Sequence, residues 1–226
     1  MPTEASPRFA VIYLHSFLGE SPSQRPGWAE LFAARGLACV SPRGGRCWWS
    51  DRICPEFDDH VTPEEFILKS VIPWVESNWN IPPRRLGLLG VDMGGQGALR
   101  LAFKHPRVFP AVAAIAPSIE YHELYWSGLA IDEMYRSKEE CRQDTAPMHI
   151  NPYEYPTHIF FAADPVDPWW RGCDRLREKL AALGIAHQCD LSTRSGGHSW
   201  TYFDAMAPRA IAFLHEGLER ESRRLA

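Results

Sequence analysis

The most uniformly apolar stretches of the chain are short. Phe9 to Leu14, Leu37 to Val40, Leu86 to Leu89 and Ala111 to Ile115 run without a polar side chain, and His158 to Ala162 carries one only at its start. Runs of this length suit strands covered on both faces, as in a parallel sheet. Ala186 to Leu191 is expected as the last of them. Between the runs the period changes to a helical one. Trp28 to Arg35 has helical apolar spacing and stops at Gly36. Thr62-Pro63-Glu64-Glu65 is a capping box with proline at the first helical position, so a helix is expected from there, burying Phe66, Ile67, Val71, Trp74 and Val75 and kinked at Pro73. Cys173, Leu176, Leu180 and Leu183 lie on one helical stripe that Gly184 closes, and Tyr202 to about Glu219 forms a final helix burying Phe203, Met206, Phe213 and Leu214. Alternating strands and helices predict an α/β fold: a mostly parallel, doubly wound sheet with helices on both faces, in a single domain over residues 1–226.

Two segments lack either period. Ser41 to Asp58 is rich in Gly, Arg and Trp and reads as a long loop on the carboxyl edge of the sheet, where α/β folds place ligands. Arg43, Arg46, Trp48, Trp49 and Asp51 either line a pocket there or pack the loop on its own tryptophans. Residues 118–156 hold short helical pieces broken by Pro147, Pro152 and Pro156, with five of the seven tyrosines and Trp126, which suggests a small lid over a site. Tyr125, Trp126, Trp49 and Trp200 are the candidate substrate-binding residues.

One stretch organises the candidate chemistry. Leu88-Leu89-Gly90-Val91-Asp92-Met93-Gly94-Gly95-Gln96-Gly97 has the frame of the G-x-S-x-G nucleophile elbow, a strained strand-to-helix turn whose flanking glycines keep backbone clear of the central side chain. With Ala98-Leu99, Lys104-His105-Pro106, Phe109 and the late Gly196-Gly197-His198-Ser199-Trp200, the chain resembles the single-domain esterases of the α/β-hydrolase fold, including esterase D (S-formylglutathione hydrolase) and the feruloyl esterases. The resemblance spans Val11 to about Leu218. It departs at the nucleophile, where Asp92 replaces serine. It implies His198 as the catalytic histidine, a triad acid after the strand at His158 to Ala162, and an oxyanion hole from the backbone N–H groups of Phe17 and Met93. Comparison with the esterase pattern favours Asp167 as the acid, nearness to the strand end favours Asp164, and both remain candidates, the other being expected to fix the loop by capping or turn bonds. Ser16 stands where these esterases usually have glycine.

Asp92 alters the chemistry. A carboxylate with an ordinary pKa of about 3.9 is ionised at neutral pH without help, so activation needs no base. Attack on an ester carbonyl would have to expel an alkoxide, whose conjugate acid has a pKa near water's, about 15.7, in preference to a carboxylate, and the intermediate would collapse backwards. Three readings follow. In one, an esterase-like hydrolase uses Asp92 or His198 as general base on water. In another, Asp92 attacks a saturated carbon, as in haloalkane dehalogenases and epoxide hydrolases, although those usually carry tryptophan where Met93 stands. In the third, the chain is a binding protein, or an engineered variant, on an esterase scaffold.

Composition narrows the partners. A formal charge of −4 with interspersed signs leaves no basic stripe for nucleic acid. No apolar run approaches the roughly 18 residues of a membrane span, and Met1 to Arg8 has no charged-then-apolar signal pattern. A cytoplasmic protein acting on a small-molecule substrate is expected, without nucleic acid or membrane, without a cofactor, and with homo-oligomer formation left open. Six cysteines without a C-x-x-C pair suggest no metal site. They read as free thiols, Cys47 and Cys54 being the only pair near enough in sequence for a small-loop disulfide.

Overall fold

The structure, a computed structural model, describes residues 7–224. Its helices and strands follow in the order β1 (Phe9–Leu14), α1 (Trp28–Ala33), β2 (Leu37–Val40), α2 (Pro63–Phe66), α3 (Ile72–Trp79), β3 (Leu86–Val91), α4 (Met93–Lys104), β4 (Ala111–Ile115), α5 (Ile131–Met134), α6 (Lys138–Gln143), β5 (His158–Ala162), α7 (Trp170–Ala182), β6 (Gln188–Asp190) and α8 (Trp200–Arg224). The six strands form one sheet in the order β2-β1-β3-β4-β5-β6, and every neighbouring pair is parallel. The chain steps outward from β1 to β2, then returns to lay β3 on the other side of β1. That reversal opens a crevice at the carboxyl ends of β1 and β3.

Strand alternation divides the core in two. Ala10, Ile12 and Leu14 face the layer that holds Trp48, Trp49, Leu99, Phe103 and Leu176. Phe9, Val11 and Tyr13 face Trp28, Phe32 and the apolar stripe of α8, including Met206 and Leu214. Both faces of β1, β3 and β4 are therefore dry, which is why their sequences show no polar alternation.

Four expectations need correction. Trp74 is 47% exposed rather than on the buried face of its helix. A π-type turn over Ile67–Val71 precedes α3 and shifts the helical phase, so that Ile72 turns inward in place of Trp74, beside Val75, which is buried as expected. Leu183 is 38% exposed because it caps α7 instead of continuing its stripe. The last strand is only Gln188–Asp190, and the strand before the elbow runs two residues further, to Val91. Thr62 caps α2 as expected, its Oγ1 accepting from the Glu65 N–H at 3.1 Å. All six cysteines are free thiols, including Cys47 and Cys54. No described helix is long and apolar enough to cross a membrane.

Residues 118–156 carry α5, α6 and single turns, and they are tied down from beneath. Tyr121 stacks on Trp48 with ring centroids 4.5 Å apart, and the Tyr135 hydroxyl donates to Asp144 at 2.7 Å. Asp144 in turn accepts from the buried Arg100 guanidinium of α4 at 2.6 Å, and Arg100 also donates to the buried carboxylate of Glu64.

Candidate active site

Asp92 stands between β3 and α4 with φ 54° and ψ −117°, a conformation disfavoured for a residue with a side chain. The backbone around it is fully committed. Its N–H donates to the Ile115 carbonyl at 2.9 Å, and its own carbonyl accepts from Gln96 at 3.1 Å and Ser118 at 3.2 Å. The turn is tight enough to require glycine on both sides: a β-carbon at Gly90 would overlap the Gly94 carbonyl, and one at Gly94 would overlap the carbonyl of Leu14. The elbow read from the sequence is thus the elbow of the fold, seated against the end of β1.

Both oxygens of the Asp92 carboxylate are held. Oδ2 accepts the Phe17 backbone N–H at 2.9 Å, from the loop that follows β1. Oδ1 accepts the Ser118 hydroxyl and lies 3.2 Å from His198 Nε2. His198 Nδ1 lies 2.7 Å from Asp167 Oδ2. Of the two candidate acids, Asp167 is the one on the imidazole. Asp164, wholly buried, accepts backbone N–H groups from Val166 at 3.0 Å, Ser195 at 2.6 Å and Gly197 at 3.0 Å. It ties the turn after β5 to the glycine turn that carries His198. Desolvation acts upward on the Asp164 carboxyl, but these three donors hold it below the usual range.

The charges of the site are coupled. Desolvation pulls the His198 imidazolium down, but Asp167 and then Asp92 outweigh it, and the ring is pushed up to about 9. Burial alone would raise the Asp92 carboxyl; His198, Ser118 and Phe17 reverse that and hold it below the usual carboxylate range. At neutral pH the site is a protonated imidazole between two carboxylates. Asp92 occupies the N-cap position of α4 without a side-chain bond to that helix, at the end where the helix dipole favours negative charge. The Met93 N–H, first of that helix, makes no hydrogen bond among the described residues.

Among the described residues, the candidate substrate-binding side chains make no hydrogen bond to Asp92, His198 or Asp167, and Trp200 reaches the His198 ring only through Phe203. Trp49 is fully buried, its indole N–H 3.3 Å from the His15 carbonyl and its side chain close against Gly97 of α4. Tyr125 is buried, with its hydroxyl on the Tyr135 carbonyl at 3.1 Å, while Trp126 is 81% exposed against the edge of the Tyr125 ring. Trp200 packs on Trp28 and Phe203 beneath the Arg25 guanidinium. Trp48 is buried between Phe17 and Tyr121. Ser118 is the contact that the sequence reading missed. Its place was readable, just past β4 at the carboxyl edge next to the elbow strand, but a lone serine after Ala116-Pro117 carries no motif.

Comparison with known proteins decides the family. The Esterase family model matches residues 11–214. The chain belongs to the esterase family. Among curated proteins, this esterase-family chain is 28% identical over 116 residues to diacylglycerol acyltransferase/mycolyltransferase Ag85C of Mycobacterium leprae, covering 48% of this chain and 34% of that protein. It is 29% identical over 103 residues to an esterase of Mycobacterium tuberculosis, covering 43% and 23%. The matched stretch thus spans about a third or less of these relatives. Among solved structures, the S-formylglutathione hydrolase of Agrobacterium tumefaciens superposes with a TM-score of 0.79 at 16% identity, covering 95% of this chain and 86% of that one. Mycobacterium tuberculosis MPT51 gives 0.70 at 16% identity, covering 95% and 90%. These likenesses establish the α/β-hydrolase fold.

Proposed function

We propose that the chain is an esterase-like hydrolase of small esters in which Asp92 acts as general base on water and His198 as general acid. The observation that carries this reading is the position of the Asp92 carboxylate. One oxygen faces His198 Nε2 at 3.2 Å, as a serine hydroxyl would at an elbow, while the other accepts the Phe17 N–H at 2.9 Å, where a substrate oxyanion is expected. The resting carboxylate thus stands in for both oxygens of a tetrahedral intermediate, and His198 carries the proton it would hold at that stage.

For turnover, the ester carbonyl displaces Asp92 Oδ2 from the Phe17 N–H, with the Met93 N–H as second donor. Asp92 takes a proton from a water, the water oxygen bonds to the carbonyl carbon, and the carbon–oxygen bond to the alcohol breaks as His198 protonates the departing oxygen. Proton transfer from a ring with a pKa about 9 answers the main difficulty of the site, which is expelling an alkoxide. The covalent alternative on a saturated carbon asks His198 to be an unprotonated base in its second step. At that step Asp92 is a neutral ester and Asp167 alone faces the ring. It is the match to the esterase family over residues 11–214 that favours water attack on an ester.

A single turnover in heavy-oxygen water separates the two. Under general-base catalysis the label enters the product acid, and mass spectrometry of the peptide around Gly90 to Arg100 finds Asp92 unlabelled. Label in Asp92, or an alkylated Asp92 trapped by His198→Ala, would establish the covalent route instead.

A further inference from the structure

The loop that offers the Phe17 N–H also forms one wall of a cleft of about 300 Å³ lined by His15, Phe17, Leu18, Gly19, Arg43 and Arg46, among others. A wider cleft of about 540 Å³ meets it at His15, Gly19 and Arg43. Arg43 therefore stands where two depressions join, in a cleft that Phe17 also lines. The other arginine lining the smaller cleft, Arg46, is already neutralised by Glu56. Arg43 is exposed and has no carboxylate partner among the described residues. Glu20, on the loop after β1, makes no ion pair with it. The nearest titratable ring is neutral, since burial first and the Arg43 charge after it lower His15, whose Nε2 accepts the Gly44 N–H at 2.9 Å. An unopposed guanidinium thus faces a cleft on a chain whose formal net charge is −4.

We infer that the substrate is an ester bearing a second, anionic group of carboxylate type, which Arg43 binds while the ester carbonyl lies at Phe17. A guanidinium presents two parallel donors to a carboxylate and has no use for a neutral alkyl chain, so it discriminates by charge as well as shape. The inference rests on the hydrolase reading above. It is tested without turnover by using ketones, which cannot be hydrolysed. Binding of 5-oxohexanoate is compared with that of its uncharged near-isostere 5-oxohexanamide by NMR titration, in the wild-type chain and in Arg43→Ala and Arg43→Lys. The expected result is about fivefold tighter binding of the keto acid at low salt, because an exposed ion pair is worth up to about 1 kcal/mol. The preference shrinks as salt rises, is lost in Arg43→Ala and is partly kept in Arg43→Lys. Equal binding of the two ketones, or a preference that Arg43→Ala retains, would overturn the assignment. Hydrolysis of nitrophenyl butyrate and its half-ester succinate analogue is followed beside it. Failure to hydrolyse either, with the binding preference intact, would sink the hydrolase reading while leaving the anion site in place.

Discussion

At the scale of single residues, the identity of position 92 sets the charge state of its neighbours. A serine there would leave His198 facing one carboxylate; Asp92 supplies a second, and the ring holds its proton. Asp92→Ser should release the Phe17 N–H and return His198 toward a neutral imidazole able to act as base. Since one oxyanion donor is worth roughly a hundredfold in rate, nitrophenyl acetate hydrolysis should rise by about that factor, measured as kcat/KM. No gain would show that the site differs from a serine esterase at more than this residue. In the wild-type chain, activity that needs the His198 proton should decline as pH rises through about 9. Asp92 and His198 were readable from motif, chain order and family pattern, whereas the family pattern only leaned to Asp167 and the fold makes the choice. Ser118 was not, because a lone buried hydroxyl has no signature; for Asp164 a loop-fixing role was readable, but not its distant donors at Ser195 and Gly197, which only the fold brings to it.

At the scale of elements, the elbow is held by close backbone approach, and its glycines are the sensitive points. Gly94→Ala would drive a β-carbon into the Leu14 carbonyl, so β1 and α4 would have to separate. The expected loss is about 3 kcal/mol or more by denaturant unfolding. Gly128→Ala, where nothing lies within 4 Å and only its positive φ is strained, should cost about 1 kcal/mol. Equal costs would mean that the turn is less tightly packed than described. The strands were legible because both faces of the sheet are covered, which writes apolar runs into the sequence. The helix after Thr62 was legible at its capped start but not at Trp74, because a π-type turn shifts the phase on which an amphipathic reading depends. The Ser41 to Asp58 loop gave no period, and its two buried tryptophans have φ of 55° and 51°, conformations that composition alone does not announce.

At the scale of the whole molecule, the site and the stability of the fold are linked through the same protons. His198 has its pKa raised from 6.5 to about 9 by folding, so its contribution to stability is complete below 6.5 and is lost as pH rises through about 9. Asp92 is shifted the other way, so its contribution is lost only in acid, below the usual carboxylate range. Thermal unfolding should therefore show a Tm that falls between pH 6.5 and 9 in the wild-type chain and falls less in Asp92→Asn, which removes one of the two charges holding the proton. The most direct measurement is the titration of the His198 ring itself, followed by NMR on histidine-labelled protein. The expected midpoint is about 9 in the wild-type chain, falling toward 6.5 in Asp92→Ser. A midpoint at or below 6.5 that Asp92→Ser leaves unchanged would contradict the carboxylate-locked imidazolium on which the proposed chemistry depends.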